Sequence, residues 1–279
     1  MQVELDKQDG FSNSNQDHLV FKYKSIDANT LSSLQTGEVW FANRELLNDP
    51  YDCRPDICWD LTNDQIIELF LKLGYEVVVE SKIEVIKGLL EDSFHRLIDR
   101  SGVFCVTEKP LNELMWAHYA DSHRGITIGY KVKAENMNNR AHAYRATRAV
   151  GYEARGFARM SDYYAYVDKK CDAAFERLIK AFYFSKTKVW QYEQEHRFLS
   201  INSNGLKDID APIDAIYFGA NTPQAHKDLV CSLVNETVTL FQVCLGKQEL
   251  IAKPYKPVPD GYNQDMAHAR KVLPKGDQA

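Results

Sequence analysis

The stretch Trp190–Gln191–Tyr192–Glu193–Gln194–Glu195–His196–Arg197–Phe198 decides how this chain is read. It sets two carboxylates and a guanidinium at alternate positions beside three aromatics. As a strand it sends successive side chains to opposite faces, so Glu193, Glu195 and Arg197 share one face while Gln194, His196 and Phe198 share the other. As a helix, Glu193 and Arg197 would be an i,i+4 surface pair. The strand is favoured, because Phe198, Leu199, Ser200 and Ile201 continue in a β-prone run that the turn Asn202–Ser203–Asn204–Gly205 closes. Such a face suits a cleft wall, where one carboxylate acts and its neighbours orient it.

Outward from this stretch, further strands are expected at Leu19 to Tyr23, Glu38 to Ala42, Val103 to Thr107, Gly125 to Lys131, Ala215 to Phe218 and Val238 to Cys244. A short helix from Asn29 to Gln35 stops at Gly37. Thr62 with Gln65, and Ser81 with Glu84, form capping boxes that open two more helices; Gly74 ends the first, and the second runs to about Asp99. Ile83, Ile86, Leu89, Leu90, Phe94, Leu97 and Ile98 give that second helix its apolar stripe. Pro110 starts a helix to about Asp121, another spans Asp172 to Tyr183, and a last one runs from a Thr222 cap, with Pro223 in its first turn, to about Val234. Strands and helices mix without regular alternation or repeat. The class is therefore α+β, a mixed central sheet with flanking helices. Residues 1–17 are expected to be a disordered polar N-terminus, 18–249 a single domain, and 250–279 an extended tail, since four of the nine prolines follow residue 253.

The chain has 279 residues, is 44% hydrophobic and 26% charged, and carries a formal charge of −5. That composition suits a globular core and argues against a dedicated nucleic-acid coat. No apolar run reaches the ~20 residues of a membrane span, and no apolar signal segment opens the chain. A cytoplasmic protein without a membrane partner is expected. The six cysteines stand singly at 53, 58, 105, 171, 231 and 244 and read as free thiols. The composition leaves the oligomeric state open.

Four further features bear on chemistry. On a helix around Met115–Gly125, Leu111, Met115 and Tyr119 form an inward stripe, with Trp116 nearby and His118 at its border. His123 sits at the helix exit, where it can serve the last carbonyls. His118 and His123 are five apart, which rules out an i,i+4 zinc pair, and no metal is expected. In the loop Asn48–Asp49–Pro50–Tyr51–Asp52, the side chains either turn onto their own backbone or border a cleft. The segment 140–159 carries Arg140, Arg145, Arg148, Arg155 and Arg159 with Tyr144, Tyr152 and Phe157 between them. It reads as a phosphate- and base-binding surface or as a solvated basic face. Lys186 and Lys188 precede the glutamates, in the reverse of the usual metal-nuclease order.

"NDPYD" at 48–52, "LMWAHYADSHRGITIGY" at 114–130 and "KTKVWQYEQEHRF" at 186–198 resemble the signature blocks of a bacterial and phage family, the domain of unknown function 2971. The opening "FKYKSIDANTLSSLQTGEVWFANRELLNDPYD" fits the same pattern, and the likeness covers roughly residues 20 to 245. It implies, by association, a role in phage defence of the abortive-infection kind. The opening strand–helix–strand unit is also similar to the start of ADP-ribosyltransferase-like domains. That resemblance implies NAD as substrate, with Glu195 of Glu193-x-Glu195 as the catalytic carboxylate, Glu193 its partner and Arg197 the group that orients them. Tyr119 and His118 would then line the cleft. Asn48 and Asp49 would form its rim, Tyr23 and Trp116 would contact the cofactor, and Arg145 or Arg148 would hold the pyrophosphate. The acceptor would be water, a nucleic acid or a protein. Two alternatives stand beside it. One is a metal-dependent nuclease using Asp49, Glu193, Glu195 and Lys186; the other is a non-enzymatic sensor that binds a nucleotide or protein through the arginines.

Overall fold

The computed structural model describes residues 17–76, 82–133, 146–153, 157–201 and 203–257. Its centre is an eight-stranded mixed sheet in the order β14-β13-β12-β5-β1-β4-β10-β6. These strands are β1 (His18–Lys24), β4 (Gly102–Thr107), β5 (Ile126–Val132), β6 (Ala146–Ala149), β10 (Glu195–Ser200), β12 (Ile213–Phe218), β13 (Thr239–Leu245) and β14 (Leu250–Pro254). β12 and β13 run parallel and their neighbours pair antiparallel. The α+β class with flanking helices is what the sequence pattern implied. Among the described residues no helix is long and apolar enough to cross a membrane.

Register assigns the two faces. Phe21 and Glu195 both oppose Thr107, so these three lie in one row. By alternation, Tyr23, Cys105, Arg197 and Leu199 share their face. Over the Leu199 end pack α2 (Asn63–Lys72), α3 (Ile83–Arg100), α5 (Met160–Lys169) and α6 (Asp172–Tyr183), through Leu69, Leu90, Phe94, Met160 and Phe182. Over the β1 end, α4 (Glu113–Tyr119) seats Trp116 against Tyr23. The opposite face carries Val20, Phe104, Ile128 and Phe218 under α1 (Ala28–Thr36) and α7 (Gln224–Leu233).

One discontinuity in the sheet positions the site. β1 pairs with β5 along its whole length but with β4 only at Phe21↔Thr107. Continued antiparallel pairing would oppose Tyr23 to Cys105 and Ser25 to Val103. Instead Val103 exchanges backbone hydrogen bonds with Ala42, just beyond β2 (Val39–Phe41). The second half of β1 and the first half of β4 therefore stand apart, and a cleft opens between them.

Several boundaries differ from the sequence expectation. The glutamate strand begins at Glu195, because Lys188–Glu193 is a 3-10 helix that exits through Gln194 in the left-handed region, φ 44°. α4 starts at Glu113 rather than Pro110, since Asn112 supplies the cap by accepting from the Leu114 and Met115 amides. α3 starts at Ile83 with Lys82 at its N-cap and no side-chain capping bond; Ser81 lies outside the described residues. Pro223, not Thr222, is the N-cap of α7. Residue 249 does not end the sheet, because Leu250–Pro254 pairs with β13 as its edge strand. The Thr62–Gln65 capping box and the Gly37 stop, with φ 77°, are present as expected.

Candidate active site

The cleft encloses about 320 Å³ and runs along the gap between β1 and β4, within the size range of small-molecule sites. Its wall includes Tyr23, Cys105, Tyr119, Lys186, Glu193 and Glu195. Behind the wall lies a charged cluster held in the core. Arg197 is fully buried and uses all five of its N–H donors. Its Nε and Nη2 donate to Glu195 Oε1 and Oε2 at 2.7 and 2.9 Å. Nη1 and Nη2 donate to Asp52 Oδ1 and Oδ2 at 2.8 and 2.6 Å, and Nη1 also donates to the Tyr183 carbonyl at 2.9 Å. Two bidentate clamps on one guanidinium are the strongest geometry this pairing offers.

Lys186, on β9 (Ser185–Thr187), completes the cluster. Its Nζ lies 2.6 Å from Glu193 Oε2 and 3.4 Å from both Glu195 Oε2 and Asp52 Oδ2. It also sits 4.8 Å from the Trp190 ring centroid. Tyr119 Oη donates to Glu193 Oε1 at 2.5 Å, and Tyr152 Oη accepts the Glu195 amide at 2.7 Å.

The two glutamates differ in electrostatics. Burial alone would push Glu195 up, but Arg197 and then Lys186 outweigh it and hold the carboxyl far below its ordinary value. Glu193 moves the other way: burial and then repulsion from Glu195 raise it, and Lys186 and Tyr119 offset this only in part. Lys186 stays an ammonium because Glu195 and Asp52 overcome the burial that opposes its charge. Tyr119 is raised by burial and by its bond to Glu193, so it remains a neutral donor. Three carboxylates thus face two cations, and Glu193 is the one whose ionised form is least supported. Neighbouring carboxylates with pKa values pushed apart are the usual ground for dividing acid–base roles.

The local chain explains this arrangement. The left-handed Gln194 ends the 3-10 helix and turns the chain into β10, so Glu193 reaches the cluster from a turn rather than by strand alternation. Asn112 ties that turn to α4 through a 2.6 Å bond from Nδ2 to the Tyr192 carbonyl. The Asp49 carboxylate accepts the Tyr51 amide at 2.9 Å, the local side-chain turn expected of such a loop, and this turn brings Asp52 to Arg197.

The sequence-selected residues divide into two groups. Glu193, Glu195, Arg197, Tyr119 and Lys186 meet in the cluster, and Asn48 lies on the cleft wall. His118 is exposed on α4, against Tyr192, and is not part of the cleft wall. Trp116 is fully buried, donating Nε1–H to the Pro110 carbonyl, so it presents no surface to a ligand. Tyr23 lines the cleft, but its hydroxyl is committed: it donates to the Lys109 carbonyl and accepts the Asn112 amide. Asp49 serves its own loop, and Asp52 occupies the place the nuclease alternative assigned to it. Arg148 pairs with Glu176 on α6, away from the cleft. Arg140, Tyr144, Arg145 and Arg155 lie outside the described residues. Among the described residues, no group of three or more His, Cys, Asp or Glu side chains is arranged to hold a metal ion. The six cysteines are free.

Sequence reasoning placed Asp52 in a candidate cleft loop without giving it a role, and missed Lys22, Lys24 and Trp40. Lys22 and Lys24 had a signal of the same kind as the glutamates, like charges at alternate strand positions. Asp52 had one only indirectly, because an arginine on a buried strand requires carboxylate partners.

Residues 115–198 match the family model described as "Protein of unknown function (DUF2971)". The matched span runs from α4 into β10, so it contains Tyr119, Lys186, Glu193, Glu195 and Arg197, while Asp52 and β1 lie before it. No curated protein matches the chain, and no solved structure does.

Proposed function

We propose that the cleft cleaves the nicotinamide–ribose bond of NAD, as a glycohydrolase or an ADP-ribosyltransferase, with Glu193 as the working carboxylate. The observation that carries this reading is the geometry of the glutamates: Glu195 is clamped at both oxygens by Arg197, while Glu193 stands at the cleft wall between Lys186 and the Tyr119 hydroxyl. The substrate's nicotinamide nitrogen is cationic, and breaking its bond to C1′ leaves oxocarbenium character on the sugar. Negative charge fixed in a low-dielectric wall stabilises both. In the reaction the C1′–N bond breaks and its electron pair leaves with nicotinamide. The oxygen of water or of an acceptor hydroxyl bonds to C1′, and its proton passes to the Glu193 carboxylate. A raised carboxylate suits proton acceptance near neutral pH.

The resemblance to ADP-ribosyltransferase-like domains assigned this role to Glu195. Glu195 is clamped at both oxygens by the buried Arg197 guanidinium, whereas Glu193 is held by Lys186 and the neutral Tyr119 hydroxyl; that difference favours Glu193 for proton transfer and Glu195 for holding Arg197 and Lys186 in place. A cytoplasmic setting and a part in phage defence are consistent with this chemistry, since NAD depletion halts a host cell.

Release of nicotinamide by purified protein, followed with water, protein and nucleic-acid acceptors, tests the reading. Glu193→Gln is expected to lower the rate by about 10²–10⁴, the range of a lost general base, in a protein that still folds. Wild-type protein that leaves NAD intact under every acceptor would overturn it.

A further inference from the structure

A second, smaller cavity of about 90 Å³ adjoins the cleft on the α1 side of the sheet and shares three wall residues with it: Lys22, Lys24 and Trp40. The two lysines therefore stand where the cavities meet. Their charge is poorly neutralised. Lys22 rests its ammonium 5.5 Å from the Phe104 ring centroid, and burial and Lys22 press Lys24 downward more than Asp27 supports it. Trp40, which lines both cavities, forms a cross-strand pair with Leu206 between β2 and β11 (Gly205–Lys207), each 49% exposed. This is an apolar, flat-faced floor. Thr30 adds a buried hydroxyl to the wall.

Resting on the glycosidic chemistry above, we propose that this second cavity is the subsite for the distal nucleoside of the dinucleotide. Its base stacks on Trp40, and the pyrophosphate lies between the cavities on Lys22 and Lys24. The lining supports this: carboxylates stand on the cleft wall, Lys22, Lys24 and Trp40 are common to both cavities, and Leu206 lines the second. A mononucleotide has nothing to set on that platform. The site therefore selects dinucleotides, and Trp40 is a specificity-determining residue rather than a catalytic one.

The test uses the full chain in two arms. Calorimetric titration with ADP reads the subsite without any chemistry. Nicotinamide release from NAD and from nicotinamide mononucleotide reads it through turnover. Trp40→Ala is expected to weaken ADP binding and to raise KM for NAD about tenfold, the order of one base–aromatic stack. Equal efficiency of wild-type protein on mononucleotide and dinucleotide would overturn the proposal, as would ADP binding indifferent to Trp40→Ala. NAD cleavage without ADP binding removes the subsite and leaves the glycosidic chemistry standing. Trp40-dependent ADP binding without NAD cleavage does the reverse.

Discussion

Replacing Arg197 by methionine removes a guanidinium that is 0% exposed while keeping an unbranched apolar chain of similar reach. Six hydrogen bonds disappear, four of them to the carboxylates of Asp52 and Glu195, which are themselves 4% and 6% exposed. Lys186 alone remains against three acids. Breaking a buried ion pair by deleting one partner costs about 3–5 kcal/mol, a large share of the ~5–15 kcal/mol that holds a domain folded. The urea midpoint, read by far-ultraviolet circular dichroism, should fall by about 1–2 M for a slope near 3 kcal/mol/M.

The pH dependence carries a sharper signature. In the wild type the folded Glu195 pKa lies below its ordinary value of 4.5. Its contribution to stability is therefore present above pH 4.5 and lost as pH falls through the folded value. In Arg197→Met, burial is opposed only by Lys186 and the Cys105 thiol, and the carboxyl titrates upward. An ionised buried acid then destabilises the fold, so as pH drops from neutral toward 4.5 the variant should gain more stability than the wild type, in which Glu193 but not Glu195 contributes such a gain. A midpoint within 0.5 M of wild type, or an acid limb of unchanged slope, would refute the argument that Arg197 neutralises these two carboxylates.

Other expectations follow from the same geometry. Tyr119→Phe deletes a hydrogen bond that lowers the Glu193 pKa, so the acid limb of the pH–rate profile should move to higher pH; a limb that stays put would separate Tyr119 from catalysis. Burial, and secondarily His18, push the His196 imidazole down to about 3. Its proton resonances should show no titration between pH 8 and 5, and its contribution should make stability fall with acidification below its ordinary 6.5, since only the unfolded chain takes up the proton there. Gly125 lies where a Cβ would sit 2.2 Å from the Lys24 carbonyl. Gly125→Ala should cost about 1–3 kcal/mol by overpacking, and an unchanged melting temperature would contradict the β1–β5 contact described.

Much of the fold was legible where the signal is local. The Thr62–Gln65 capping box, the left-handed Gly37 stop and the stripe Ile86, Leu90, Phe94, Ile98 each act within one or two helical turns, and each is present. The short strands β3 (Asp56–Cys58), β7 (Gly151–Glu153), β8 (Phe157–Arg159) and β9 were not legible. At three residues each they carry no periodicity, and they exist because β3 finds β8 and β7 finds β9 across the chain. Helix α5 was hidden too, because Tyr163, Tyr164 and Asp162 blur its stripe.

The amino-acid sequence alone determined that Glu195 and Arg197 point the same way, since strand alternation is a property of the backbone. It also marked Glu193, Tyr119 and Lys186 as worth attention. Only the tertiary structure decided what those side chains face. Asp52 meets Arg197 from 145 residues away, and β1 parts from β4 because Val103 pairs with Ala42 instead. The physical reason is common to both cases. Periodicity fixes the direction of a side chain, but the fate of a buried charge, or of a strand edge, depends on which distant partner reaches it first.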